Sequence, residues 1–358
     1  LSVKKKLLSR RFEHEPSPHL PHAIQSEATE TVRRKLAQGE YGLRNYDCPC
    51  GTPPNDVIIS EVERYGLPLN AVVCLACGTI RLNPYLDNQA LEDFYTRFYQ
   101  LMYRRAPDVA AYVERQGAYG KKILAVTRSL LPSRGWVFEV GCGAGGALQV
   151  FANAGYRVAG CDYSAELIAE ARRVGIEHAF HSTLDSLDQD LPDVKLDLIY
   201  LHHVFEHLTD PLEFLVTCRR YLQPGGSVVV IVPDVSRIHS FSNPDGDLMA
   251  FLHIAHKHNF SLEGLNRLCV RARYVLEELA PDPSIRTVNS DMPELWIQMR
   301  LAENGEPRTV DVNAGDTMLR YLAETESDYL WRRHRRRLTQ GIARLSPLKI
   351  ISKLRRTQ

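Results

Sequence analysis

Gly141, Gly143 and Gly145 fall at alternate positions directly after the apolar stretch Val137-Phe138-Glu139-Val140, and no other stretch limits the fold of this chain so sharply. Without a Cβ, glycines let the backbone turn tightly and let a ligand lie against it. A helix-forming run, Ala147–Asn153, follows at once. Its first turn offers unpaired N–H groups and the positive end of a dipole. A strand, a glycine turn and a helix in this order suit a nucleotide-like ligand at the edge of a parallel sheet. The spacing G-x-G-x-G departs from the dinucleotide fingerprint G-x-G-x-x-G, and the sequence has no G-x-x-x-x-G-K-[ST] phosphate loop. A second apolar stretch, Arg157–Cys161, ends at Asp162, about twenty residues on, where an acid can bind ribose hydroxyls.

The pattern then continues. Strands are expected near Val137–Val140, Tyr156–Cys161, His178–His181, Leu196–Leu201 and Gly226–Val232, with helices near Ala147–Asn153, Ala165–Val174 and Leu212–Leu222. This alternation predicts a parallel sheet with right-handed crossovers and helices on both faces. Glu139-Val140-Gly141-Cys142-Gly143-Ala144-Gly145, Asp162-Tyr163-Ser164, the block Leu198–Pro211 and Leu222-Gln223-Pro224-Gly225-Gly226 together resemble the class I S-adenosylmethionine-dependent methyltransferases, over Trp136–Leu301. The resemblance implies an α/β, Rossmann-like, seven-stranded sheet, completed by strands near Tyr274–Leu279 and, antiparallel, Leu295–Arg300. It implies S-adenosylmethionine as cofactor. The backbone of Gly141 and Gly143 would meet its amino-acid end and Asp162 its ribose, with Tyr163 and the Thr183-Leu184 turn at the adenine. Glu139, Cys142, Gly145 and His202 complete the expected cofactor set. An NAD-dependent oxidoreductase stays as an alternative for this unit.

The densest chemistry lies after the fourth expected strand, in Leu201-His202-His203-Val204-Phe205-Glu206-His207. Methyl transfer mainly asks the protein to align an acceptor for in-line attack. For a hydroxyl acceptor a base must also take the proton, and histidine titrates in the useful range. His203, Glu206 and His207 match the H-x-x-E-H pattern of sugar and small-molecule methyltransferases similar to this chain. Were the segment helical, His203 and His207 would share a face. The same letters spell the inverted zinc-peptidase motif, or a loop braced by hydrogen bonds alone. A second group, His253-Ile254-Ala255-His256, lies in a long insertion after the fifth expected strand, and His256 is a further candidate base. Ser261 is the expected N-cap of the helix that follows.

Upstream, Cys48, Cys50, Cys74 and Cys77 form two knuckles about twenty residues apart, with strand-forming Ile58–Val62 and Ala71–Val73 between them. This describes a small zinc ribbon with a structural Zn2+, since four thiolates leave no open position for a substrate. The cysteine segment, followed by Ile80-Arg81-Leu82-Asn83-Pro84, resembles a subgroup that methylates sugars, polysaccharide precursors or natural products. Next comes an aromatic helix, Leu91–Tyr103, whose Tyr95, Tyr99 and Tyr103 recur every fourth residue on one face. It is expected either to pack on the main domain or to serve as a lid. Tyr112–Leu131 reads as another helix.

Charge is unevenly spread. Residues 1–12 hold five Lys/Arg and no acid, and residues 331–358 hold ten and no acid, leaving a body with 29 basic against 43 acidic residues. The first fifteen residues are expected to be a solvated terminus or a short basic amphipathic helix. Asp316–Leu338 reads as a long helix, and Pro347–Leu354 as a short basic apolar segment. Basic, partly apolar ends suit an anionic membrane surface better than nucleic acid, which the acidic body disfavours. A nucleic-acid-binding protein or RNA methyltransferase, gripping RNA with ribbon and tail, is the alternative from another class. The chain shows no apolar run long enough to span a bilayer and no signal-peptide pattern, so the expected location is cytoplasmic, peripheral to the inner face of the membrane. Five segments are expected. They are a basic arm with a helix (1–44), the cysteine module (45–85), a helical lid or linker (86–132), the methyltransferase domain (133–303) and a basic helical extension (304–358). The expected partner is a small-molecule or glycan acceptor, and an oligomer is compatible with the sequence.

Overall fold

The computed structural model describes residues 4–17, 23–103, 108–240, 246–285, 287, 292–302 and 310–344. Among these, seven strands form the main sheet: β1 (Trp136–Val140), β2 (Arg157–Cys161), β3 (Ala179–Phe180), β4 (Leu196–His202), β5 (Leu222–Pro233), β6 (Tyr274–Glu278) and β7 (Glu294–Leu301). Their spatial order is β6-β7-β5-β4-β1-β2-β3, with β7 antiparallel to both neighbours and the other pairs parallel. The order reverses beside β1, which places the glycine turn at the switch point where such sheets bind ligands. β5 starts earlier than expected: Leu222 pairs with Leu196, then the register jumps so that Ser227 meets Leu198, and Gln223–Gly226 form the bulge. Val228–Val232 are buried on both faces, as a central parallel strand requires. The helices Gly146–Asn153, Ala165–Arg173 and Pro211–Tyr221 fall where expected; Ser164 and Asp210 cap the last two, and Pro211 supplies the first turn without a donor to satisfy.

A second sheet, of five strands, runs in the order Lys4–Lys5, Asp56–Ser60, Ala71–Cys74, Ile80–Leu82, His258–Asn259. The cysteine segment lies in this sheet, which takes its last strand from the insertion after β5 and shares one apolar core with that insertion. Val235, Ile238, Met249, Leu252 and Ile254 pack in the same cluster as Ile59, Val73 and Ile80. Residues 4–13, expected within a solvated terminus or an amphipathic helix, are only partly solvated: Lys4–Lys6 are exposed, while Arg11 and Phe12 are buried. Lys4–Lys5 pairs in parallel with Val57–Ile58, and the short 3-10 turn Arg10–Glu13 buries Phe12 completely. Arg11 is buried between two acids, its Nη2 donating to Asp247 at 2.7 Å and to Glu326 at 2.5 Å. Desolvation opposes that placement, and two carboxylates from distant segments offset it.

The aromatic helix is real but irregular: Asn88–Asp93 is α-helical, Phe94–Phe98 forms a π-type turn and Tyr99–Tyr103 resumes the α-form. Tyr95, Tyr99 and Tyr103 still form a ladder, with ring centroids 5.2 and 5.1 Å apart. The expected helix over Tyr112–Leu131 runs from Val109 to Thr127 and ends in a 3-10 turn. The last helix, Ala314–Arg344, docks Met318, Leu319 and Leu322 into the core of the five-stranded sheet and leaves Trp331 61% exposed. Asn243–Asp245 and Pro347–Leu354 lie outside the described residues. Among the described residues no helix is long and apolar enough to cross a membrane.

Candidate functional site

The glycine turn has the geometry its composition predicts. Gly141, Gly143 and Gly145 have φ of 76°, 54° and 78°. A Cβ on Gly141 would lie 2.5 Å from Val204, and one on Gly143 would lie 2.6 Å from the Tyr112 hydroxyl. The turn is pinned from three sides. Gly141 and Cys142 donate backbone N–H bonds to the Cys161 carbonyl; the Gln116 amide donates to the Cys142 carbonyl at 2.9 Å; and Asp162 Oδ2 accepts from Gly143 N at 2.9 Å. Asp162 Oδ1 accepts from Ser164 N at 2.8 Å. Asp162 is thereby fixed at the end of β2 beside the turn, where an acid suits ribose hydroxyls.

Glu139 is buried at the end of β1, and its Oε2 has no hydrogen-bond partner among the described residues. Burial pushes its pKa up to about 8, and the charge on Asp162 adds to the shift. Tyr163, 79% exposed beside Asp162, offers an open aromatic face, and Thr183 leads in extended form into the turn Leu184–Ser186, with Leu184 buried. Cys142 and Gly145 contribute backbone only: Cys142 is buried, and Gly145 caps the following helix. This set fits S-adenosylmethionine. The buried Glu139 side chain, its Oε2 without a partner among the described residues, suits an ammonium group, the Cβ-free cradle suits close backbone contact, and Asp162 with Tyr163 suits a nucleoside.

A cavity of ≈ 330 Å³ opens next to the turn. His202 and His203 enter from the end of β4, and Tyr119 from the helix that carries Gln116. Tyr99 and Tyr103 come from the aromatic ladder, and His253 and His256 from the insertion. His207, Arg64 and Met292 complete its lining. The segment His203–His207 is a loop and not a helix, so the shared face that helical geometry would give His203 and His207 does not form. His203 sits at φ 55°, in the left-handed region, and only Phe205–His207 form a short 3-10 turn. The two histidines therefore diverge. His203 Nε2 lies 2.9 Å from Glu294 and its Nδ1 lies 3.4 Å from Glu206. Burial alone would lower its pKa, but the two carboxylates outweigh that and raise it to about 10. His203 is thus an imidazolium braced between acids. His207 instead places Nδ1 3.1 Å from the Tyr95 hydroxyl, and its ring stands 5.0 Å from that of His256. Burial shifts the pKa of His207, His253 and His256 downward. Glu206 lies beneath them, 1% exposed.

Arg64, Tyr119, Gln116 and Glu294 escaped the sequence reading. Glu294 carried a usable signal, as an acid opening the apolar run Leu295-Trp296-Ile297. The other three come from segments whose place over the sheet edge no local pattern encodes.

The four cysteines converge. Sγ of Cys48 and Cys77 are 3.7 Å apart, those of Cys50 and Cys74 are 3.8 Å apart, and all four lie within 4.8 Å of one another in a buried cluster. A disulfide would bring sulfurs to roughly 2.05 Å. Tetrahedral zinc with Zn–S of about 2.3 Å sets sulfurs about 3.8 Å apart, so the thiolates fit that ion. Gly51 and Gly78, both at positive φ, return N–H bonds to the Cys48 and Cys74 carbonyls and close the knuckles. The main domain grips them: Arg271 donates to the Pro49 carbonyl and the Ser261 hydroxyl to that of Cys77. Ser261 also caps its helix as expected.

Residues 138–230 match a sequence family described as "Methyltransferase domain". A probable S-adenosylmethionine-dependent methyltransferase of Mycolicibacterium smegmatis is 36% identical over 102 residues, 27% of this chain and 38% of that protein. A ubiquinone biosynthesis O-methyltransferase of Bradyrhizobium sp. is 34% identical over 100 residues, 26% and 38% of the two chains. The chain thus spans well under half the length of the curated relatives it matches. Among solved structures, a S-adenosylmethionine dependent methyltransferase from Mesorhizobium loti aligns over 51% of this chain and 99% of its own, at 21% identity and a TM-score of 0.38. The plantazolicin methyltransferase BamL, solved in complex with triazolic desmethylPZN analog and SAH, aligns over 53% of this chain and 85% of its own, at 16% identity and a TM-score of 0.41.

Proposed function

We propose that this chain, whose residues 138–230 carry a methyltransferase domain, transfers a methyl group from S-adenosylmethionine to a small-molecule acceptor held in the histidine- and tyrosine-lined cavity. One observation carries the reading: the glycine turn and the cavity are neighbours, since Val204, in the histidine loop, packs against Gly141. Bound at the turn, S-adenosylmethionine supplies a methyl carbon on a positively charged sulfur; the acceptor's lone pair bonds to that carbon as the carbon–sulfur bond breaks, its electrons returning to sulfur. Asp162 and the backbone of Gly141 and Gly143 orient the donor. Tyr99, Tyr103 and Tyr119 give the acceptor aromatic walls, and a cavity imidazole takes the proton that a hydroxyl loses. Holding the two reactants in line is the larger part of the task.

The acceptor class is a hydroxyl of a sugar, glycan precursor or natural product. The hydroxyl-rich class suits a site that mixes imidazoles, phenols and one arginine. The cysteine cluster would hold a structural zinc ion at the end of the strand Ala71–Cys74, anchoring the five-stranded sheet. The exposed arginines after Trp331 are directed at an anionic membrane surface, where lipid-linked precursors are made.

The test is a calorimetric titration of S-adenosylmethionine, and separately of NAD, into the full chain. Saturable binding of the sulfonium cofactor is expected, weakened at least tenfold by Asp162→Ala, in line with roughly 1.5–3 kcal/mol for hydrogen bonds to a charged group. No such binding by folded protein, or preferential binding of NAD, would overturn the reading.

A further inference from the structure

We propose that Glu206, His207 and His256 form a binding site for a divalent transition-metal cation at the floor of the cavity. Together the three residues offer one carboxylate and two imidazoles, with one ligand atom from each within 4.8 Å of the others. They come from two segments far apart in the chain, so their meeting is a product of the fold.

The hydrogen bonding around them is incomplete in a specific way. Both oxygens of Glu206 and Nδ1 of His256 are buried with no hydrogen-bond partner among the described residues. The nearest approach between the two residues, His256 Nε2 to Glu206 Oε1, is 3.7 Å, longer than a hydrogen bond. Buried polar atoms in native proteins are almost always satisfied, so a carboxylate with both oxygens orphaned, 3.7 Å from one imidazole nitrogen and within 4.8 Å of a second, calls for an occupant. A proton on one imidazole would satisfy one pair only, and His203 already supplies Glu206 with an ion-pair partner at 3.4 Å. A cation satisfies the carboxylate and both rings together. His207 is also set up for this. Its Nδ1 meets the Tyr95 hydroxyl at 3.1 Å, which fixes the ring and leaves Nε2 for the metal, the arrangement usual for ligating histidines.

Metal–ligand distances of about 2.0–2.2 Å put neighbouring N and O ligands roughly 3.0–3.4 Å apart, so the three side chains need to draw together by about 1 Å. Two imidazoles and one carboxylate suit Zn2+, Mn2+ or Fe2+ and leave positions open toward the cavity. Given the proposed acceptor site, on which this part rests, an open position there would take the acceptor's hydroxyl oxygen and ease transfer of its proton to a cavity imidazole outside the ligand set, His202 or His253. The thiolate cluster would compete for zinc, whereas Mn2+ prefers oxygen and nitrogen donors and separates the two sites.

The experiment is a Mn2+ titration of the full chain, with the free aqua ion followed by electron paramagnetic resonance. One Mn2+ per chain is expected for the wild type. Glu206→Gln and His256→Ala should each weaken binding at least tenfold, while His253→Gln leaves it within about twofold. Should the buried substitutions unfold the protein, Tyr95→Phe removes no ligand and is expected to weaken binding roughly tenfold through the freed His207 ring. Undiminished free Mn2+ signal up to about 1 mM with folded wild type, or binding indifferent to Glu206→Gln or Tyr95→Phe in folded protein, overturns the site. None of these readouts depends on S-adenosylmethionine, so the cation site and the cofactor site fail or stand separately.

Discussion

Glu139→Gln should stabilise the protein, and only at higher pH. The carboxyl of Glu139 has a pKa of about 8 in the folded chain against an ordinary 4.5. Between those values the unfolded chain has released the proton and the folded chain has kept it. The folded state therefore binds more protons, and stability falls as pH rises across the window. Every tenfold fall in proton concentration across that window costs the folded state about 1.36 kcal/mol. By about pH 7.5 the proton is roughly a thousandfold scarcer than where the unfolded carboxyl is half ionised, which sets a ceiling of about 4 kcal/mol. The effective dielectric of buried sites and water entering the cofactor cleft cut this to about 2 kcal/mol. Glutamine keeps the shape and cannot ionise, so it escapes the penalty. The assay is urea unfolding of wild type and Glu139→Gln at about pH 4 and about pH 8. The two proteins should match at the lower pH and differ by about 2 kcal/mol, in favour of the variant, at the higher. Equal pH dependence in the two proteins would refute the assignment of a buried, destabilising carboxyl at the end of β1.

Two further outcomes follow from charge and metal. Arg11→Met leaves Asp247 and Glu326 buried without their shared cation, and should lower unfolding free energy by about 3–5 kcal/mol, read from denaturant or thermal melts. Cys50→Ser should abolish zinc in the purified protein by elemental analysis and lower the melting temperature; an unchanged zinc content would remove the cluster as its site.

Much of the main sheet was readable because its signals are local. Val228–Val232 is an unbroken apolar run, Pro211 and Ser164 punctuate helix starts, and the glycine turn fixes its own φ values. β6 and β7 needed the resemblance, since Glu277, Glu278, Gln298 and Arg300 interrupt their apolar pattern. The candidate site was legible in part. The tyrosine ladder follows from i, i+4 spacing and survives a π-type turn. The histidine loop was located, but its spacing could not show that a left-handed His203 separates the directions of His203 and His207. Nothing local pairs His207 with His256, nor Arg64 with either. The early basic residues misled most. Lysines and arginines near an end usually remain in solvent, but Phe12 and Arg11 are drawn inside by partners far along the chain.

The Arg11–Glu326 contact also sets a timetable for synthesis. Arg11 leaves the ribosome long before its partners, because Asp247 and Glu326 lie 236 and 315 residues downstream. At roughly 5–20 residues per second, the wait for Glu326 is roughly 15–60 s. Lys4–Lys5 can pair with Val57–Ile58 within the first seconds. The nascent five-stranded sheet must still persist without its last strand, without the helix that covers it, and with an unneutralised guanidinium at its edge.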